Sequence, residues 1–400
     1  MNAKKRIYLD NAATTPLSER ALNAMKPYFT EVFGNPSSLH GEGQKAAEAL
    51  SDARSRIAAT LGAGKDEIYF TSGGSEADNQ AIISAARAGA RKGRKRIISS
   101  AIEHHAVLNT LEALKAEGFS VTLLPVGENG IVKVSDLEAA IGQDTALVTV
   151  MAANNEIGTL QPIKRLAEVA KRAGAIFHTD AVQAVGHVPT DVKDLGVDML
   201  SLSAHKFNGP KGVGVLFSKK GVALTSIICG GAQERGKRAG TENLPAIVGM
   251  AEALEEATER IDKNASKLKK LRDRLINGVL SIPHSVLNGD RNERLPGNAN
   301  FCFEGIEGES LLLYLDDLGI CASSGSACTS GSLDPSHVLL AIGRPHDVAH
   351  GSLRLTLSTE VTEEDIDYTV GAVRSVVERL RSMSPVWREL AAGRRKFIIG

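Results

Sequence analysis

The chain has 400 residues, 42% of them hydrophobic, enough for two or three domains that each bury a core. Lys plus Arg and Asp plus Glu both number 47, so the charge balance offers no footprint for nucleic acid or an anionic membrane. No apolar run is long enough to span a membrane and no apolar core follows the basic residues near Met1, so a cytoplasmic protein handling a small molecule or another protein is expected.

In chain order, Glu67 to Phe70 reads as a strand and Ser75 to Ala90 as a helix, then Arg96 to Ser100 and His105 to Glu117 repeat the pair. Ala146 to Met151, Ile163 to Ala173 and Ala175 to His178 continue the alternation, and Met199 to Ala204 and Gly212 to Phe217 add two strands. Such alternation builds βαβ units around a mostly parallel sheet, an α/β fold. From Ala251 to Leu280, apolar residues such as Leu254, Ile261, Leu268 and Leu275 recur at helical spacing, predicting one long helix that crosses between domains. Shorter runs at Ala299 to Phe303 and Leu353 to Leu357, and a last helix from Glu363 to Arg381, predict a smaller α+β domain. The expected division is a large domain of residues 15–258 and a small one of residues 1–14 and 259–400.

The cysteines are Cys229, Cys302, Cys321 and Cys328. None forms a C-x-x-C pair or meets histidines at zinc spacing, so no metal is expected. Cysteines in such a chain are ordinarily reduced, buried and inert.

Ligands of open parallel sheets bind beyond the carboxyl ends of the strands. The residues there are Gly73-Gly74-Ser75, Glu103-His104, Asn154-Asn155, Asp180 with Gln183, and Ser203-Ala204-His205-Lys206. The Gly-Gly-Ser turn opens a helix, where bare amides, a hydroxyl and the helix dipole suit a phosphate. Its spacing matches neither dinucleotide nor nucleotide-triphosphate loops. Asp180 is an anion of the kind that keeps a pyridinium nitrogen protonated, and Lys206 stands where an amine can hold a carbonyl compound as a Schiff base. His104 lies at the same edge.

These residues resemble the fold-type I, class V pyridoxal-phosphate enzymes, and within them the cysteine desulfurases of the NifS/IscS type. The resemblance runs from Tyr8-Leu9-Asp10-Asn11-Ala12-Ala13-Thr14-Thr15 through Gly34-Asn35-Pro36-Ser37-Ser38-Leu39-His40 to the C-terminal domain. Its most specific piece is Ser323-Ser324-Gly325-Ser326-Ala327-Cys328-Thr329-Ser330-Gly331, continuing to Leu339. The resemblance implies that Lys206 holds pyridoxal 5'-phosphate, Asp180 pairs with its ring nitrogen, Gln183 meets the ring hydroxyl and His104 stacks over the ring. It gives the phosphate to Gly74, Ser75, Ser203 and His205, with Thr241 arriving from the other subunit of a homodimer. Asn155, beside the cofactor, and Arg354 would bind the carboxylate of L-cysteine, where a guanidinium fork donates two parallel hydrogen bonds.

In that reading the freed Lys206 amine removes the substrate's Cα proton, Cys328 attacks the substrate sulfur as thiolate, and alanine leaves with a persulfide remaining on Cys328. A free thiol is only a few per cent thiolate at neutral pH, so His104 or a nearby dipole must activate it. The Ser, Gly and Thr around Cys328 have little to bury, which predicts a mobile loop. The sulfur's expected destination is an iron–sulfur scaffold protein or another acceptor, with motifs nearer the nitrogen-fixation branch. Two departures from the family pattern stand out, Ser75 where Thr is usual and Ser358-Thr359-Glu360 where an Arg and an aromatic are common. The alternatives are a selenocysteine lyase or another class V enzyme on the same cofactor frame, and a non-catalytic docking protein. Cys328 argues against an aminotransferase; Lys206, Asp180 and His104 argue against the docking protein.

Overall fold

The computed structural model describes residues 6–324 and 334–399. The described strands are β1 Ile7–Tyr8, β2 Ile68–Thr71, β3 Arg96–Ser100, β4 Ser120–Leu124, β5 Thr145–Thr149, β6 Ile176–Asp180, β7 Met199–Ser203, β8 Gly214–Ser218, β9 Ser285–Leu287, β10 Asn298–Phe303, β11 Ile320–Cys321 and β12 Ser352–Thr356. The main sheet has seven strands in the order β2-β8-β7-β6-β5-β3-β4. Pairing from β4 through β7 is parallel, and β8 runs antiparallel to both β7 and β2.

Alternation along these strands sends side chains to two buried faces, as a sheet covered on both sides requires. Ile97, Leu147, Met199 and Leu216 meet the helices Gly74–Ala90 and His105–Ala116. Ile98, Val148, Phe177, Leu200 and Phe217 meet the other layer, which includes the helices Gly41–Thr60, Ile163–Arg172 and Leu244–Glu259. The predicted fold class holds: this is a mostly parallel sheet between helices. The alternation read from sequence starts at residue 65 and passes over Gly41–Thr60, whose inward face includes several alanines and therefore carries a weak apolar period.

A second core lies under the antiparallel sheet β12-β10-β9. Phe301, Leu353 and Leu355 pack there with Leu271 and Leu275 of the helix Ile261–Leu280 and with Val373 and Val377 of the helix Glu363–Met383. Ile7 and Leu9 join them, and β1 pairs with β11. The single helix expected over 251–280 is corrected to two. They meet at Arg260, whose φ of −112° and ψ of 6° leave the helical region. Leu254 faces the first core and Leu268 the second, and one straight helix cannot turn its apolar stripe toward both. Among the described residues no helix is long and apolar enough to cross a membrane.

Candidate active site

At the carboxyl ends of the parallel strands lies a cavity of about 300 Å³. It is lined by Gly74, Ser75, His104, Asn155, Asp180, Gln183, Ser203, His205, Lys206 and Arg354, joined by Ala12, Ala13, Asp78, Met151 and Val182. A larger hollow of about 870 Å³ beside the C-terminal helix lacks such a convergence of polar groups on a strand end. One expected residue is not in this lining. Thr241 is exposed on the chain's surface, and Cys328 lies outside the described residues.

The anion end is made by backbone. Gly74 opens its helix, and a Cβ there would stand 2.6 Å from the Val182 side chain, so only glycine admits the close approach of turn and strand end. Ser203 and His205 close the same corner from β7. Burial, helped by Lys206 and Lys211, pushes the His205 imidazole down to about 4, leaving it neutral at pH 7. Its Nδ1 meets the Thr14 hydroxyl at 3.1 Å.

Lys206 ends the short 3-10 turn after β7. Its Nζ donates to the carbonyls of Ala12 at 2.6 Å and Ala13 at 2.9 Å. Those acceptors are backbone of the N-terminal arm, invisible to any reading of side-chain type, and Gln183 Nε2 shares the Ala12 carbonyl at 3.0 Å. Behind the lysine, His187 Nε2 donates to the Lys206 carbonyl at 2.9 Å, another contact the sequence did not signal.

Asp180 ends β6 and accepts the Val182 amide at 2.9 Å. Burial raises its carboxyl above the ordinary range, opposed by His104, by the Val182 amide and by Lys206. Beneath it lies a polar layer of which sequence reading marked only Glu103. His178, two residues upstream on the same strand face, contacts Thr149 at 2.8 Å and Ser201 at 2.9 Å, and burial pushes it down to about 3. Asp78 from the facing helix stands 3.6 Å from His178; burial and the neighbouring Asp180 raise its carboxyl, and its Oδ1 has no hydrogen-bond partner among the described residues. Glu103 is buried beside Ser100 and the Met151 amide, and burial pushes it up to about 8. Asp78 and Asp180 line the cavity together, and Glu103 lies close enough for its charge to bear on both.

His104 caps the helix His105–Ala116, its Nδ1 accepting the Ala106 amide at 3.1 Å. The proton of the neutral ring therefore sits on Nε2. Burial lowers its pKa, with Asp180 opposing. Opposite, Arg354 of β12 is buried, which rules out a surface salt bridge. It donates to Asp10 Oδ1 at 2.8 Å and to the Asn155 carbonyl at 3.0 Å. Of the described cysteines, Cys302 is a buried thiol pushed up to about 11, and Cys229 is exposed away from the cavity.

An amine, a buried carboxylate and a glycine-lined helix start, set around one small cavity, suit a flat pyridine ring bearing an aldehyde and a phosphate, and that compound is pyridoxal phosphate. The chain belongs to the class-V aminotransferase family, whose model matches residues 7–369. It is 55% identical to a protein named cysteine desulfurase IscS from Clostridium botulinum, over 96% of this chain and 98% of that protein. It is 48% identical to the cysteine desulfurase NifS of Azotobacter vinelandii, over 95% of each chain. Among solved structures, a NifS-like protein superposes with a TM-score of 0.88 at 38% identity, over 94% of this chain and all of the other.

Proposed function

We propose that the chain is a cysteine desulfurase, a homodimeric cytoplasmic enzyme that takes sulfur from L-cysteine, leaves L-alanine, and passes the sulfur to an iron–sulfur scaffold or another acceptor. The observation that carries this is the convergence of Lys206, Asp180, His104 and Arg354 on one cavity, in a chain about half identical to proteins of that name. In this reading residues 15–258 hold the cofactor, while residues 1–14 and 259–400 bring Arg354 and Cys328.

Pyridoxal phosphate, when bound, supplies the electron sink that lets a bond at the substrate's Cα break heterolytically. Lys206 holds its aldehyde, Asp180 its ring nitrogen and Gln183 its ring hydroxyl, and the Gly74 amide, Ser75, Ser203 and His205 take the phosphate with Thr241 of a second copy. The neutral His205 suits this corner because it can donate without a proton being taken up. Arg354 receives the substrate carboxylate beside Asn155; its guanidinium is already held in the cavity wall by Asp10 and the Asn155 carbonyl. That fixed fork orients the amino acid with its Cα near the Lys206 amine, which removes the proton. His104, fixed in its tautomer by its own helix, would lie against the ring.

Sulfur transfer falls to Cys328. Its thiolate attacks the substrate sulfur, the carbon–sulfur bond breaks, and the pair from that bond stays with the carbon skeleton, which is reprotonated and leaves as alanine. The sulfur remains as a persulfide. The test is to mix the protein with L-cysteine and a thiol reductant and to follow alanine and sulfide. Cys328→Ala is expected to abolish both, and undiminished sulfide from that variant would remove Cys328 from the reaction. Strong preference for selenocysteine would make the chain a lyase instead.

A further inference from the structure

The strand that runs into the phosphate turn, β2, is the edge of the main sheet and among the described residues pairs only with β8. An edge strand leaves amides and carbonyls open, and here side chains of one distant turn and of the helix Gly41–Thr60 close them. The Phe70 amide donates to Glu234 Oε2 at 2.9 Å, and the Ile68 carbonyl accepts from Arg54 at 2.8 Å and Arg235 at 2.7 Å. Glu234 and Arg54, 5% and 7% exposed, are joined by a two-pronged ion pair of 2.5 and 2.8 Å. The two guanidinium groups lie over Phe70 at 4.3 Å and Tyr69 at 4.2 Å.

The turn itself is strained. Glu234, Arg235 and Gly236 have φ of 47°, 59° and 72°, and non-glycine residues hold that conformation only where their surroundings over-determine it. Beyond it, Arg238 pairs with Glu76 at 2.9 Å, Glu76 accepts the Ser72 amide at 2.8 Å, and Gln80 donates to the Lys237 carbonyl at 2.6 Å. The turn therefore grips the chain on both sides of Gly73–Ser75, at β2 before it and at the helix after it. Three residues past the last grip comes the exposed Thr241.

We propose that Glu234 is a positioning residue for the cofactor's phosphate: it clamps the open edge of β2, sets the Gly74 amide and Ser75 hydroxyl in place, and fixes where Thr241 leaves the body of the chain. It acts through β2 and does not itself line the cavity. The inference rests on the cofactor reading above, and its test separates the two. Apoprotein is titrated with pyridoxal phosphate, and separately with pyridoxal, which has the aldehyde and ring but no phosphate; the visible absorption band reports binding. In Glu234→Gln, affinity for pyridoxal phosphate is expected to weaken about tenfold while affinity for pyridoxal changes little. Arg238→Gln, which breaks only the less buried Arg238–Glu76 pair, is expected to move the same ratio less, and it keeps the test alive if Glu234→Gln does not fold. Leu275→Ala, buried in the second core, is expected to lower the melting temperature without moving either affinity. A Glu234→Gln protein that binds both compounds like the native chain, or loses both equally, overturns the inference while leaving the cofactor reading intact. A native chain that forms no band with pyridoxal phosphate overturns both.

Discussion

The carboxylic acids under the cavity make the clearest residue-scale statement about pH. Burial pushes Glu103 up to about 8 from an ordinary 4.5, so between those values the folded chain holds a proton that the unfolded chain has lost. Its stabilising contribution is complete below pH 4.5 and drains away as the pH climbs to about 8. His178 has the opposite sign: pushed from 6.5 to about 3, it adds stability as pH rises through that window and nothing above it. Above about pH 6.5 the Glu103 loss therefore stands without that compensation. The melting temperature is expected to fall between about pH 6.5 and 8. It should fall less in Glu103→Gln, which keeps the shape without the proton; equal slopes would show that other groups set the dependence. A second residue-scale expectation concerns Arg354. Arg354→Lys keeps the charge but loses the fork, so kcat/KM for cysteine should drop about 10- to 100-fold, mostly in KM. A drop confined to kcat would place the residue elsewhere in the reaction.

The same scale shows what could be read from sequence and what could not. Lys206, Asp180, His104, Ser203 and Gln183 were legible because each sits where a recognisable strand stops, and strand ends are where ligands gather. Asp78 and His178 were not, because a polar residue inside a helix or strand declares its burial only once the packing face is known. Thr241 could be placed only by resemblance, since one chain alone leaves it on the surface.

At the scale of elements, the turn between β2 and the helix Gly74–Ala90 was legible from two glycines and a serine, whereas the break at Arg260 was not. The apolar period runs on through residues 254, 261, 268 and 275, and nothing in it records that the chain passes from one core to another. The turn also carries an element-scale expectation. In Gly74→Ala the new methyl meets Val182 Cγ2, so the helix start must retreat from the strand end and affinity for pyridoxal phosphate should fall about tenfold or more. Adding Val182→Ala makes room and should restore most of the loss. Failure of the second change to rescue the first would mean that the fault is backbone conformation and not space.

At the scale of the molecule, the cavity is shared by two packed bodies through the N-terminal arm. Ile7 and Leu9 are anchored in the second core, Asp10 holds Arg354, and the carbonyls of Ala12 and Ala13 hold the Lys206 amine, all within seven residues. Thr15 continues to the His205 carbonyl, so the arm stitches the Arg354 side of the cavity to the Lys206 side. This predicts that a change in the arm is felt at one end of the cavity at a time. Asp10→Asn removes the anion that aims Arg354 but leaves the backbone carbonyls at Lys206 where they are. KM for cysteine is therefore expected to rise about tenfold, with the visible band of the cofactor and its affinity unchanged. If instead the band shifts or the affinity falls along with the KM effect, the arm transmits the loss to Lys206, and the two ends of the cavity are coupled through it as one rigid piece.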